Sequence, residues 1–188
     1  MSNTLQKWER LSSRTLLAHR FVTIIEDIVR LPTGKTTGWW RFGDEPDFVM
    51  VIPMNENGQV LVSYQYNNAP QCIVAEFVGG GVDHGESYPD AAQRELMEEV
   101  GYYAHDLRPI GKFFYMNRHT GQRCRVFIAT QLEPRQMAHD DGEFIETEWV
   151  DAATIDQRIA DGTYENGIMM AAWTIAKLCD FGRKQTAA

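Results

Sequence analysis

The sequence predicts an α+β protein, an α/β/α sandwich with a mixed sheet between helices and a strand-rich extension at the N-terminus. Three observations predict it. Apolar, β-branched runs fill the first half and are broken by Gly, Pro and Asn-Gly turn signals. A capped helical stretch follows, and after further strand-like runs the chain ends in two more helical stretches. With 188 residues, 44% hydrophobic and 11% aromatic, the chain can bury one core of ordinary size, and its composition excludes a disordered protein.

The elements can be justified in order. The run RFVTIIEDIVRL, residues 20–31, is rich in β-branched residues and stops at Pro32-Thr33-Gly34. Residues 48–54 and 59–66 are apolar runs flanking Asn55-Glu56-Asn57-Gly58, where Asn-Gly supplies the positive φ of a tight turn, so a β-hairpin is expected. Residues 72–78 form another short apolar run. It ends at Gly79-Gly80-Gly81, where a backbone without Cβ can bend sharply or approach a neighbour closely. Ser87 and Asp90 around Pro89 read as a helix start and Gly101 as its stop, so a helix is expected from Tyr88 to Val100. Strands are expected over 110–116, 123–132 and 144–150, a helix from Asp151 to near Gly162, and a last helix over 165–181. Residues 1–45 read as the strand-rich extension and 46–188 as the main domain.

Charge and cysteine usage restrict the function. The net charge is −8 and no stretch concentrates Lys and Arg, which argues against a nucleic-acid partner. An anionic substrate would then need a bound cation to attract it. Cys72, Cys124 and Cys179 lack zinc-site spacing and suit a reducing compartment. The N-terminus has no apolar leader and no run approaches the ~18 apolar residues of a membrane span, so no membrane association and a cytoplasmic location are expected.

The chemistry is concentrated in RELMEEVG, residues 94–101. Ala92, Leu96 and Val100 recur every four residues and form an apolar seam, while Glu95, Glu98 and Glu99 crowd the adjacent face. Like charges three and four apart cost a helix roughly 0.2–0.5 kcal/mol per pair. A hard divalent cation would turn that repulsion into attraction, because Mg²⁺ takes oxygen ligands and bridges carboxylates to phosphate oxygens.

Gly80, Glu86, Arg94, Glu95, Glu98, Glu99 and Gly101 fall into G-x5-E-x7-R-E-U-x-E-E-x-G, with Leu96 as the apolar U. That pattern resembles the signature of the Nudix hydrolase family. The resemblance implies a Nudix fold, a Mg²⁺ or Mn²⁺ cofactor, and hydrolysis of a nucleoside diphosphate linked to another group. It implies Glu95, Glu99 and the carbonyl of Gly79 as metal ligands, with Glu98 shared or bound through water. Glu86 and Arg94 would form an orienting contact between loop and helix. Gln65-Tyr66, the stretch from Ala75 to Gly80 and the N-terminal extension resemble the ADP-ribose and nucleotide-sugar pyrophosphatase branch. In that branch the extension commonly exchanges between subunits, which implies a homodimer.

The branch takes its general base from a loop well after the box, where HDDGEFIETEW offers Glu143 first and Glu146 second, with Glu98 as the alternative on the helix itself. Gln65, Glu76 and Arg118 are the candidate substrate contacts. Trp39 and Trp40 read first as core or interface residues and second as stacking surfaces. The chain departs from the branch at Asn67, where Arg is usual, at Phe77-Val78-Gly79 before the box, at Tyr102, and in residues 113–121, which lack a Pro-Gly loop. Two other functions remain open on this sequence: a nucleotide-binding sensor without turnover, and a hydrolase of nucleoside triphosphates.

Overall fold

The structure, a computed structural model, describes residues 5–135, 137 and 144–179. It divides into two compact units: Met1–Glu45 with Phe114–Gln122, and Pro46–Phe113 with Arg123–Ala188. Among the described residues no helix is long and apolar enough to cross a membrane.

The first unit is an antiparallel sheet in the order β1 (Glu9–His19), β2 (Val22–Arg30), β3 (Thr36–Phe42). Strand β1 is exposed along its whole length, so it lacks the alternation of buried and exposed positions that marks a strand in sequence. Gly34 at φ 82° closes the turn between β2 and β3, where its N–H donates to the carbonyl of Leu31 at 2.9 Å. Asp27 is buried on β2 and accepts from Ser13 Oγ at 2.6 Å and Arg41 Nε at 2.8 Å. Burial pushes its carboxyl up, but those hydrogen bonds and the charges of Arg41 and Arg10 outweigh it and hold the group below the ordinary carboxylate range. Residues 114–122 dock on β3: His119 stacks on Trp40 at 3.6 Å between ring centres, and Trp39 Nε1 donates to the carbonyl of Arg118 at 2.9 Å.

The second unit contains β4 (Phe48–Pro53), β5 (Val60–Asn67), β6 (Cys72–Glu76), β7 (Val78–Gly81), α1 (Tyr88–Val100), β8 (Tyr102–Phe114), β9 (Arg123–Pro134), β10 (Ile145–Val150), α2 (Ala152–Ala160) and α3 (Gly167–Leu178). Its four-stranded sheet, β7-β4-β9-β8, is mixed: β4 runs parallel to β9 and antiparallel to β7. A second sheet has the order β10-β5-β6. Successive side chains of β4 enter opposite cores. Val49 and Val51 pack with Ala92 and Leu96 of α1, while Met50 and Ile52 join Ile155 of α2 and Met169, Ala172 and Trp173 of α3. The sandwich expected from sequence is therefore the observed one.

The expected hairpin between β4 and β5 forms only as a turn. Gly58 takes φ 78° and Asn55 Oδ1 accepts the N–H groups of Asn57 and Gln59, but the single bridge Met54↔Val60 is all that joins the two strands. Both edges of β4 are already taken by β7 and β9, so β5 turns away into the other sheet. Helix α3 starts at Gly167, two residues later than expected, because Asn166 Oδ1 caps the N–H groups of Ile168 and Met169. Strand β8 begins at Tyr102 rather than near 110; its exposed polar positions interrupt any apolar run.

Candidate active site on helix α1

Helix α1 is fixed at both ends by the residues that mark it in sequence. Ser87 Oγ accepts the N–H of Asp90, Pro89 lies in the first turn, and Gly101 at φ 70° closes the C-terminus with its N–H on the carbonyl of Leu96. Ala91, Ala92 and Leu96 are buried against the sheet. That seam sets the rotation of the helix, and the rotation turns Glu95 and Glu99 toward β7.

Strand β7 passes too close for any side chain. A Cβ on Gly80 would lie 2.3 Å from Glu95 Oε1, and one on Gly79 would lie 2.3 Å from the carbonyl oxygen of Val49. Neither glycine has a positive φ, so space and not backbone conformation demands them. Of the two behaviours the triple glycine allows, close approach is the one realised: Gly79–Gly81 belong to a strand, not a bend. The N–H of Gly79 donates to Glu99 Oε2 at 3.3 Å, which brings the two predicted ligand residues together across the strand–helix boundary.

Arg94 binds the acidic groups to one another. Its Nε and Nη2 donate to the two oxygens of Glu86 at 3.0 and 3.1 Å. Its Nη1 reaches Glu95 Oε1 at 2.7 Å and Glu98 Oε2 at 2.9 Å, and Nη2 also donates to the carbonyl of Gly81 at 2.9 Å. Glu86 in turn accepts the N–H of Asp83 at 3.0 Å, which holds the loop before the helix. The hydrogen bonds from Arg94, opposed by burial, keep the Glu86 carboxyl below the ordinary carboxylate range, and the same bonds raise Arg94 above the usual arginine value. The Glu95 side chain retains 12% of its exposure and that of Glu86 16%, so these are substantially desolvated charges rather than a solvated face. One guanidinium thus faces three carboxylates.

The donors are hard oxygens throughout, and the glycine cradle gives Glu95 room that any larger residue would fill. That set suits Mg²⁺ or Mn²⁺ and not a thiolate- or imidazole-bound metal. Among the described residues no three His, Cys, Asp or Glu groups are drawn together as a metal shell; Arg94 spans Glu95 and Glu98 here.

The remaining predicted site residues lie elsewhere. Gln65 is on β5 opposite Ile145 and Val74. Glu76, at the end of β6, accepts from Asn67 Nδ2 at 2.7 Å. Glu146 is exposed on β10 opposite Tyr64, and α1 touches β10. Arg118 is exposed in the first unit, where it lines a cavity of about 1110 Å³ with Trp8, Trp39, Arg10 and Arg41. Glu143 lies outside the described residues. Two participants escaped the sequence reading. The carbonyl of Gly81 had no side-chain signal, whereas Asn67, noticed there as a missing Arg, is the partner of Glu76.

Fold and box together define a Nudix-type hydrolase with an added N-terminal sheet. Residues 45–171 match the NUDIX domain, and residues 8–41 match the Nucleoside diphosphate sugar hydrolase N-terminal domain. The chain belongs to the Nudix family and is a pyrophosphohydrolase of that family. It is 28% identical over 144 residues to the ADP compounds hydrolase NudE of Escherichia coli (strain K12), covering 76% of this chain and 77% of that protein. It is 26% identical over 140 residues to the ADP-ribose pyrophosphatase of Bacillus subtilis (strain 168), covering 72% and 74%. A crystal structure of ADP compounds hydrolase superposes with a TM-score of 0.85 at 24% identity, over 94% of this chain and 96% of that one, a likeness of fold.

Proposed function

We propose that the chain is a Mg²⁺-dependent hydrolase of the pyrophosphate bond in a nucleoside diphosphate linked to a sugar or related group. The products would be a nucleoside monophosphate and a phosphorylated remainder. The observation that carries this reading is the gathering of carboxylates around Arg94: three acids meet one guanidinium, with Glu99 alongside at Gly79, an all-oxygen set that suits a divalent cation. The names of the relatives, hydrolases of ADP compounds and of ADP-ribose, support the substrate class.

In this reading Glu95, Glu99 and the carbonyl of Gly79 hold the ion, with Glu98 beside them. When bound, such an ion neutralises phosphate oxygens and makes a coordinated water more acidic. Arg94 and Glu86 position: the bidentate contact between them ties the 83–86 loop to the helix, and Arg94 Nη1 holds the carboxylates of Glu95 and Glu98. A carboxylate takes the proton of the attacking water: Glu143, Glu146 on β10, or Glu98 on the helix. Gln65 and Glu76 contact the substrate, and Asn67 presets the Glu76 carboxylate; Arg118, in the first unit, is a separate candidate contact. The fully exposed β1, with Leu11, Leu16 and Leu17 between 40% and 50% exposed, suits pairing with a second copy of the chain, a homodimer.

The test is a panel of ADP-ribose, UDP-sugars, GDP-mannose, dinucleotides and nucleoside triphosphates, assayed with and without Mg²⁺. Release of a nucleoside monophosphate from a diphosphate-linked substrate, lost on chelation, is the expected result. Turnover confined to triphosphates, or nucleotide binding with no turnover at all, would refute the proposal.

A further inference from the structure

Gly79 and Gly80 lie on β7, one edge of the four-stranded sheet; a second concavity lies by β8 and β9 at the other edge. This cavity, about 460 Å³, is lined by Tyr88, Pro89, Pro109, Lys112, Arg125 and Phe127, with no acidic side chain in the lining among the described residues; Asp47 sits behind it, accepting from Tyr88 Oη at 2.9 Å. Its volume falls in the range of about 300–1,000 Å³ usual for small-molecule sites. Phe127 is buried as one wall. Pro109 lacks an N–H, so with Pro89 it adds apolar surface and no donor.

The two cations are poorly neutralised. The Lys112 side chain has no hydrogen bond or ion pair among the described residues. Among the described residues the Arg125 side chain makes only long polar contacts, 3.4 Å to Tyr88 Oη and 3.6 Å to Asp47 Oδ2, and its buried Nε has no acceptor. Its guanidinium lies 4.5 Å from the centre of the Tyr88 ring, so part of its neutralisation comes from a π face, which accepts no strong hydrogen bond. In a chain of net charge −8, the hollow gathers one exposed and one partly buried cation beside apolar surface. The hollow also adjoins Tyr88 and Pro89, the first two residues of α1, where the helix dipole adds positive potential.

We propose that this cavity binds a small phosphate monoester carrying a planar ring. The phosphate satisfies Lys112 and the terminal nitrogens of Arg125, which are suited to a planar, multiple contact with phosphate oxygens. The ring occupies the apolar part against Phe127 and the two prolines. Inorganic phosphate would meet the cations but leave that part empty. The site is separate from the carboxylates on α1 and needs no divalent ion.

The test is a titration of phenyl phosphate and AMP into the full chain in excess EDTA, read by calorimetry and by saturation-transfer NMR, with inorganic phosphate and phenol as comparisons. Both esters are expected to bind more tightly than phosphate or phenol. The variants Lys112→Glu and Lys112→Ala, at an exposed position, should weaken the esters by about tenfold or more, the loss of a charge-assisted contact, with unchanged circular dichroism and melting. Glu99→Gln should leave ester binding as it is. The proposal is overturned if neither ester binds at millimolar concentration, if phosphate alone binds as well as the esters, or if Lys112→Glu binds like the parent. Loss of binding in Glu99→Gln would also overturn it by moving the ligand to the other site, an outcome independent of whether the chain hydrolyses any nucleotide.

Discussion

Two arginines in the same unit each collect acidic or phenolic partners, and they do so with opposite charge balance. Arg158 donates to both oxygens of Glu148, at 2.7 and 3.2 Å, and to the hydroxyls of Tyr64 at 2.9 Å and Tyr164 at 2.6 Å. One cation meets one anion and two neutral phenols, so the cluster is balanced. Arg94 meets Glu86, Glu95 and Glu98, with Glu99 nearby, so among the described contacts that cluster sets three carboxylates against one guanidinium. The first arrangement closes its hydrogen bonds internally and ties β5 and β10 to α2. The second gathers more carboxylates than cations among the described residues. Balance separates a clamp from a binding site more clearly than the number of hydrogen bonds does.

The largest effect should follow from removing surplus charge at the unbalanced cluster. Glu99→Gln should lower Mg²⁺-dependent turnover by more than about a hundredfold, beyond the usual cost of losing an outer partner of a metal ligand. Stability in EDTA should hold or rise slightly, by up to about 0.5 kcal/mol, because one Glu–Glu repulsion disappears and a Gln oxygen can still accept from Gly79. Steady-state kinetics across Mg²⁺ concentrations and a thermal melt separate the two. A melt that drops sharply would make Glu99 part of the scaffold and blur the contrast with Arg158.

Next in size is the loss of each arginine. Arg94→Ala leaves Glu86 and Glu95 largely desolvated and without their cation, and should destabilise the fold by about 2–3 kcal/mol. Added Mg²⁺ should restore part of that loss if the ion can stand in for the guanidinium. Arg158→Ala should destabilise by about 1–2 kcal/mol, because Glu148 is half exposed and regains water, and Mg²⁺ should not rescue it. Melting curves of both variants with and without the ion test the difference directly. Equal rescue would end the distinction between the clusters.

The two glycines sharpen it further. Gly79→Ala must displace the backbone of β4, since its Cβ would meet Val49 O, so stability should fall by about 1–3 kcal/mol. Gly80→Ala meets only the end of the Glu95 side chain, which can swing away. It should melt close to the parent yet bind Mg²⁺ roughly 10–100-fold more weakly, as a displaced ligand would. Isothermal titration with Mn²⁺ reads the second effect, and a denaturation curve the first.

Much of this was legible in sequence, and the reasons are local. Helix α1 was placed from Tyr88 to Val100 because Ser87, Pro89 and Gly101 act within one turn of its ends. The crowding of Glu95, Glu98 and Glu99 likewise follows from spacing on a single helix. Long-range pairing was not legible. Arg158 finds Tyr64 from 94 positions away, and Asn67 meets Glu76 although the register pairs them with Cys72 and Ser63. The diverging strands β4 and β5 show the same limit: Asn57-Gly58 specifies a turn, but which edges remain free is decided by β7 and β9.

The smallest expected effect is in pH, where both clusters share a sign. Glu86 is held below the ordinary carboxylate range chiefly by Arg94, and Glu148 chiefly by Arg158 and then Tyr64. A depressed folded-state value means that each contributes stability in full above the ordinary carboxylate range, and loses it as pH falls through its own lower value. Glu148 is half exposed, so its share is the more reduced by solvent screening. Denaturation across the acid range should therefore show Glu86→Gln removing more of the slope than Glu148→Gln. Near neutral pH, Glu86→Gln should also be the variant that changes Mg²⁺ affinity. A Glu148→Gln variant with equally weakened Mg²⁺ binding would mean that the clamp and the site are coupled through β10, and that charge balance alone does not separate them.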